Sequence, residues 1–253
     1  MNGSDIAFKM QDMRGVHEGT KGLSHENCLN CRFVERKVGE SIGAIFNNNV
    51  ADVYDIPTIA ALELLAFNIE NLGKVVDPPG AQYRDDVSNG QDVPMKLAEL
   101  RAPPEVSDAG TRDLVQLSVL SKRFVSKKEP PISLRDYLLR LHKYCPMSTA
   151  VYLATSFYFT RMVVVERSLF VTPKNKHRLV LAGLQVAMKA LEDLSYPHSR
   201  VAKVGGVSER ELSKVEISFC FLVDFKLRVD AQMLLDEANA LVQRCMSGEN
   251  VVK

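Results

Sequence analysis

Between Leu179 and Leu191 the only strongly polar side chains are Gln185 and Lys189, four positions apart. Extended by alternate steps of four and three, their row reads Arg178, Ala182, Gln185, Lys189 and Glu192, one narrow polar stripe on an otherwise apolar cylinder. A helix that is apolar nearly all round needs neighbours on most of its sides, so this segment predicts a bundle with the helix near its centre. The stripe is then expected to face solvent or a partner. The apolar run is too short, and too interrupted, to predict a membrane-spanning helix.

The flanking sequence supplies the neighbours. A helix is predicted over residues 111–126, with Leu114, Leu117, Leu120 and Phe124 on one face. Ser133 to Asp136 reads as a capping box opening a second helix, whose buried stripe is Leu134, Leu138, Leu141 and Cys145 and which Pro146 stops. Ser148 begins a third, rich in Tyr152, Phe157, Tyr158 and Phe159; their scatter around the helix marks core and not a base-stacking platform. Thr172-Pro173 reads as the N-cap and first residue of the apolar helix, which then runs to about Asp193. Tyr196 to Gly206, with Pro197, Gly205 and Gly206, reads as a loop. Ser208 to Glu211 is a second capping box, opening a helix to about Phe225 that buries Leu212, Val215, Phe219 and Leu222. On periodicity alone Glu216 is a solvated edge of that helix. Asp230 caps a last helix to about Cys245. No strand-like alternation occurs, and the predicted fold class is all-α.

Upstream, residues 1–50 show no sustained period, and 57–72 reads as a helix with Ile59, Leu62, Leu65, Ile69 and Leu72 in one row. Residues 73–110 hold five of the eleven prolines among aspartates, the composition of a linker. The expected domains are therefore an N-terminal extension over 1–110, largely irregular apart from that helix, a helical domain over 111–246 and a tail over 247–253. Our reading has the helix near 57–72 docking on the domain. Lys and Arg number 32 against 31 Asp and Glu, so no whole-molecule field favours nucleic acid or an anionic membrane, and neither is an expected partner. Five cysteines are an odd number and do not read as a disulfide framework; with a polar start lacking a secretory pattern, an intracellular setting (cytoplasm or nucleus) is expected.

Six stretches occur in order: Tyr137-Leu-Leu-Arg-Leu-His-Lys-Tyr144; Tyr158-x-x-Arg161; Asn175-Lys-His-Arg-Leu179; Ala187-Met-Lys-x-Leu-Glu-Asp193; Ala202-Lys-Val-Gly-Gly206; and Glu211-Leu-x-x-x-Glu216-x-x-x-x-Phe221-Leu-x-Asp-Phe225. Together they closely resemble the cyclin box of the PHO-type cyclins, whose plant relatives are the U- or P-type cyclins, over about residues 112–230. The resemblance implies a single five-helix cyclin box with one helix before it and one after. It also implies a regulatory subunit, not an enzyme, that binds and activates a cyclin-dependent serine/threonine kinase in cell-cycle or nutrient-signalling control.

By the same resemblance the kinase-contacting residues are Lys189 and Glu216, with Cys220, Phe225 and Leu227 as the apolar rim around the kinase's regulatory helix. Glu192 and Asp193 form an acidic pair that would face the kinase activation segment. A lysine offers three donors to partner carbonyls and a glutamate accepts amide donors, and both bonds strengthen where an apolar rim excludes water. The sequence departs from the family at Thr160, where an aspartate usually precedes Arg161, which puts an internal ion pair in doubt. It departs again at Ala190, Pro197, His198 and Arg200.

Other chemistry is poorly supported. His17, His25, Cys28 and Cys31 have imperfect zinc spacing and no second cysteine pair. Gly205-Gly206 lacks the rest of a phosphate cradle, and no nucleophile-elbow context surrounds a serine. No catalytic residue, metal or cofactor is expected. The competing reading is an adaptor of cyclin fold that binds a non-kinase partner or a peptide.

Overall fold

The computed structural model describes residues 52–74, 117 and 119–247. Every regular element among them is helical. We label them α1 (Thr58–Leu72), α2 (Leu134–Tyr144), α3 (Thr149–Thr160), α4 (Lys176–Leu191), α5 (His198–Gly205), α6 (Glu209–Leu222) and α7 (Ala231–Ser247). A 3-10 turn, Val53–Asp55, precedes α1, and a π-helical turn, Arg161–Val165, continues α3. Residues 119–122 form a further helical turn, leading to Phe124, which like Leu120 is buried. Among the described residues no helix is long and apolar enough to cross a membrane. His17, His25, Cys28 and Cys31 lie outside the described residues, as do Leu114 and nearly all of the 73–110 stretch.

The two most apolar helices form the centre. In α3 every residue from Val151 to Ser156 is buried, with Tyr158 and Phe159; in α4 every residue from Leu179 to Met188 is. They meet around Gly183, where a Cβ would come within 3.0 to 3.2 Å of Thr155, Phe159 and Phe219, so the missing side chain lets α3, α4 and α6 close on one another. The expected buried rows hold: Leu134, Leu138 and Leu141 in α2 with Cys145 at its C-cap, and Leu212, Val215, Phe219 and Leu222 in α6, are all buried. At about 25 cal/mol per Å² of apolar surface, such burial is the main stabilising term.

The polar stripe of α4 departs from expectation. Its middle is dry: Ala182 and Gln185 are fully buried, and neither polar atom of the Gln185 side chain has a hydrogen-bond partner. Only the residues on either side of that middle reach water: Arg178 and Lys189 are pinned to α6, by Glu211 at 2.9 Å and Glu216 at 2.5 Å, and the last member, Glu192, turns to the Ser148 N–H. Helical spacing identified the row, but the crossing of α6 over it decided which members reach water.

Two local expectations are also corrected. Residues 196–206 are not a loop throughout, because α5 occupies His198–Gly205. Pro197 sits at its N-cap, Val201 and Ala202 bury on the bundle, and Gly206 ends it in the left-handed conformation (φ 73°) that glycine adopts without steric cost. Thr172-Pro173 does not cap α4. The cap is Asn175, whose Oδ1 accepts the Thr172 N–H at 2.7 Å, and the helix begins at Lys176. Both serine caps form: Ser133 Oγ accepts from the Asp136 N–H, and Ser208 with Glu211 makes the full reciprocal box. Asp230 Oδ1 likewise accepts from the Met233 N–H.

α1 belongs to the same compact unit as the helices after it. It buries Leu62, Leu65, Ile69 and Leu72, while Ile59 at its start stays exposed. Polar ties fix it as well. Glu63 pairs with Arg135 at 2.6 Å, Glu70 with Lys176 at 2.8 Å, and the Thr149 hydroxyl donates to the Ile56 carbonyl just before the helix. Asn68 donates to the hydroxyls of Ser156 and Thr160, and both hydroxyls donate to Oε1 of the buried Glu237, so one network joins α1, α3 and α7. The Asn68 Nδ2 side of this network is satisfied, whereas Asn68 Oδ1 is buried without a partner, which takes back part of the stability the network contributes.

His177 carries a pH dependence. Its Nε2 lies 3.0 Å from the Ile132 carbonyl, so it holds the proton, while Nδ1 is buried without a partner. Burial, chiefly, lowers its pKa below the usual histidine value. The unfolded chain then binds the extra proton first. Stability is therefore full above about pH 6.5 and falls as pH drops from there through the folded-state pKa. Urea unfolding at pH 7.5 and 5.5 should show the lower value at 5.5, with His177→Gln shrinking the difference; an undiminished difference in the variant would refute this assignment.

Candidate functional site

The wet end of the α4 row lies beside the outer face of α6. Lys189 and Glu216 come from the two helices, their side chains 44% and 16% exposed. Lys189 uses one of its donors on Glu216 Oε1, and Glu216 Oε2 lies 3.7 Å from His198 Nδ1. His198 is held in turn by the Glu209 carbonyl and the Ser213 hydroxyl through Nε2. A cation, an acceptor and an imidazole thus stand together at the meeting of α4, α5 and α6.

Apolar surface continues from that cluster. Ile217 is 49% exposed, and Cys220 follows Glu216 one helical turn later on the same face. Burial raises the Cys220 thiol pKa and Glu216 adds to the rise, so the group stays a neutral, weakly polar contact near pH 7. The chain then leaves α6 through Asp224 and Phe225, both left-handed at φ 51° and 53°. Non-glycine residues there cost on the order of 1 kcal/mol each and persist only when their surroundings over-determine them. The surroundings do so: the Phe225 N–H donates to the Cys220 carbonyl, and Arg161 donates to the carbonyls of Val223 and Lys226. The Tyr158 hydroxyl donates to the Leu227 carbonyl at 2.6 Å, its pKa pushed up to about 12 mainly by burial. The result presents the Phe225 ring 60% exposed and edge-on to Phe221.

The structure therefore brings Lys189, Glu216, Cys220, Phe225 and Leu227 along one edge. Of the acidic pair, Glu192 has an internal task, accepting the Ser148 N–H at the start of α3, and Asp193 is exposed. Residue 160 forms no ion pair with its neighbour; Thr160 bonds to Glu237, and Arg161 instead meets Glu166 at 3.4 Å. Sequence reasoning missed Ile217, His198 and Arg161 as parts of this edge. Ile217 was detectable, since it is an apolar residue outside the buried row of α6. His198 was not, because α5 itself was not foreseen.

The comparisons with known proteins meet this geometry. The sequence profile of the family described as Cyclin matches residues 63–227, well over half of the chain. The chain belongs to the cyclin family. This match takes in most of α1, upstream of the stretch that carries the recognisable motifs. Among relatives, PHO85 cyclin-7 of Saccharomyces cerevisiae is 36% identical over 148 residues, 54% of this chain and 51% of that protein. The PHO85 cyclin-like protein psl1 of Schizosaccharomyces pombe is 36% identical over 133 residues, 50% of this chain and 55% of that one. Cyclin-U4-3 of Arabidopsis thaliana is 34% identical over 119 residues, 47% and 54% respectively. The chain spans about half the length of these relatives.

Arg161 should act on this edge only by positioning. Arg161→Ala is expected to speed amide exchange at Phe225 to Leu227 by at least about tenfold, with little change in α2, because local openings report local ties. Unchanged protection there would contradict the pinning role.

Proposed function

We propose that this cyclin is the regulatory subunit of a cyclin-dependent serine/threonine kinase, which it binds through the Lys189–Glu216 edge and thereby activates. The observation that carries the reading is the contact of an exposed lysine with a glutamate, with half-exposed Ile217 next to that glutamate in α6 and half-exposed Phe225 in the turn that leaves the helix. Large apolar side chains left in water beside charged hydrogen-bonding groups suit a partner helix laid across them. The two unused Lys189 donors would bind partner backbone carbonyls, and Glu216 Oε2 would take an amide. Cys220, Phe225 and Leu227 would keep water from those bonds.

On this reading the chain supplies binding free energy and no catalytic group. Contacts made only with the active arrangement of the kinase shift its population toward a swung-in regulatory helix. That places the kinase's own Lys–Glu pair and magnesium-binding aspartate for phosphoryl transfer. Asp193, exposed beyond the end of α4, would face basic residues near the activation segment, whereas Glu192 is engaged in capping α3. The likeness to proteins named as PHO85 cyclins makes a kinase served by such cyclins the first to test, within the cell, in cell-cycle or nutrient-signalling control.

The internal ion pair makes a decisive test possible. Lys189→Glu and Glu216→Lys should each weaken kinase binding by about 2–5 kcal/mol, roughly thirtyfold to several thousandfold. The double exchange restores an internal pair but shows the partner inverted polarity, so it should restore thermal stability and not binding. Phe225→Ser should weaken binding with stability nearly unchanged. Titration calorimetry with the purified kinase measures all four; single charge reversals that bind like the parent would end the proposal.

A further inference from the structure

Thr172 and Pro173 are left without the capping task their sequence suggests, since the N-cap position of α4 is Asn175. Their setting is unusual within this chain. Thr172 is the single serine or threonine in the 253 residues directly followed by proline. Thr172, Pro173 and Lys174 are three consecutive exposed residues, bracketed by the buried Val171 and Asn175. The Thr172 N–H is bonded to Asn175 Oδ1 and its carbonyl accepts from the amides of Asn175 and Lys176, yet its hydroxyl makes no hydrogen bond to any described residue. The turn thus holds the backbone and leaves the side-chain oxygen in solvent.

From this we infer that Thr172 is a phosphorylation site for a proline-directed protein kinase. Proline has no N–H, so a substrate groove that offers no acceptor after the target residue selects Thr-Pro over other threonines. The residue before a proline also favours extended backbone, the form such a groove takes. For the segment to extend, the two turn bonds to the Thr172 carbonyl, the Thr172 N–H bond to Asn175 Oδ1 and the Ser126 N–H bond to the Lys174 carbonyl must open, and all four are single bonds in an exposed turn. In the reaction the Thr172 hydroxyl oxygen attacks the γ-phosphorus of ATP held by the kinase. The new O–P bond forms as the bond from that phosphorus to the β–γ bridging oxygen breaks; the hydroxyl proton passes to the kinase's base and ADP leaves.

The product suits its surroundings. A phosphothreonine carries between one and two negative charges near neutral pH and needs cationic donors. Lys174 and Lys176 flank it at the second and fourth positions, Lys176 now being held by Glu70 at 2.8 Å. A phosphate at Thr172 would compete with Glu70 for that ammonium group.

This site does not depend on whether the chain activates a kinase, and its test avoids that question. The full chain is incubated with magnesium-ATP and a purified proline-directed kinase already active with a different regulatory subunit, and phosphate is located by intact mass and peptide mapping. We expect one phosphate per chain, at Thr172. Thr172→Ala should abolish it, Thr172→Ser should retain it, and Pro173→Ala should slow it at least tenfold, with thermal midpoints of all three variants matching the parent. No phosphate on the folded chain, phosphate at another residue, or undiminished labelling of Pro173→Ala would overturn the inference.

Discussion

The close approach of α3, α4 and α6 at Gly183 is the constraint on which the rest of this structure depends. Without a Cβ there, the rings of Phe159 and Phe219 reach the α4 backbone, and two helices that are apolar on most sides bury each other. That contact also sets how α6 crosses α4. The crossing brings Arg178 to Glu211 at one end of the polar row and Lys189 to Glu216 at the other, and it seals Gln185 between them. The functional edge is therefore a consequence of core packing. Its two charges meet because a small residue sits two turns away in the apolar centre.

Around this core the charged and polar side chains do two kinds of work. Some fasten elements together: Asn68, Ser156, Thr160 and Glu237 tie the first, third and last helices through one buried network, and Arg161 clamps the turn after α6. Such ties gain strength from the low local dielectric. The others are left half in water, as Lys189 is where it pairs with Glu216, the residue before exposed Ile217. The strained pair Asp224–Phe225 stands between the two kinds, since internal bonds hold a conformation whose visible product is an exposed aromatic ring.

Much of this was legible in the residues. The apolar stripes of α2 and α6 and the serine caps at Ser133 and Ser208 depend on spacing and on side chains one turn away, and such local rules survived folding. The positions of Lys189 and Glu216 followed from literal motif resemblance, and the packing brings them into contact. What failed was tertiary. Gln185 looked wet because periodicity reports a face but not what covers it. Residues 198–205 looked like a loop because Pro197 and the two glycines are strong breakers, and they bound a helix too short to display its own period. Thr172-Pro173 mimicked a cap one turn early; the helix starts only after Asn175, whose side chain caps no helical amide and instead holds the preceding turn through the Thr172 N–H. α1 was expected to dock as a helix from its apolar row, but it carries none of the family's recognisable words, so the sequence left it in an extension and only its contacts place it in the same unit.

The central claim is that the edge running from Lys189 through Glu216 to Leu227 is where another protein sits. Hydrogen–deuterium exchange of the full chain, free and saturated with a purified cyclin-dependent kinase, tests it most directly. The account predicts slowed exchange concentrated in residues 186–192 and 213–227, with α7 and the outer face of α2 unchanged. Slowing confined to α7 or α2, with that edge exchanging as in the free chain, would contradict it.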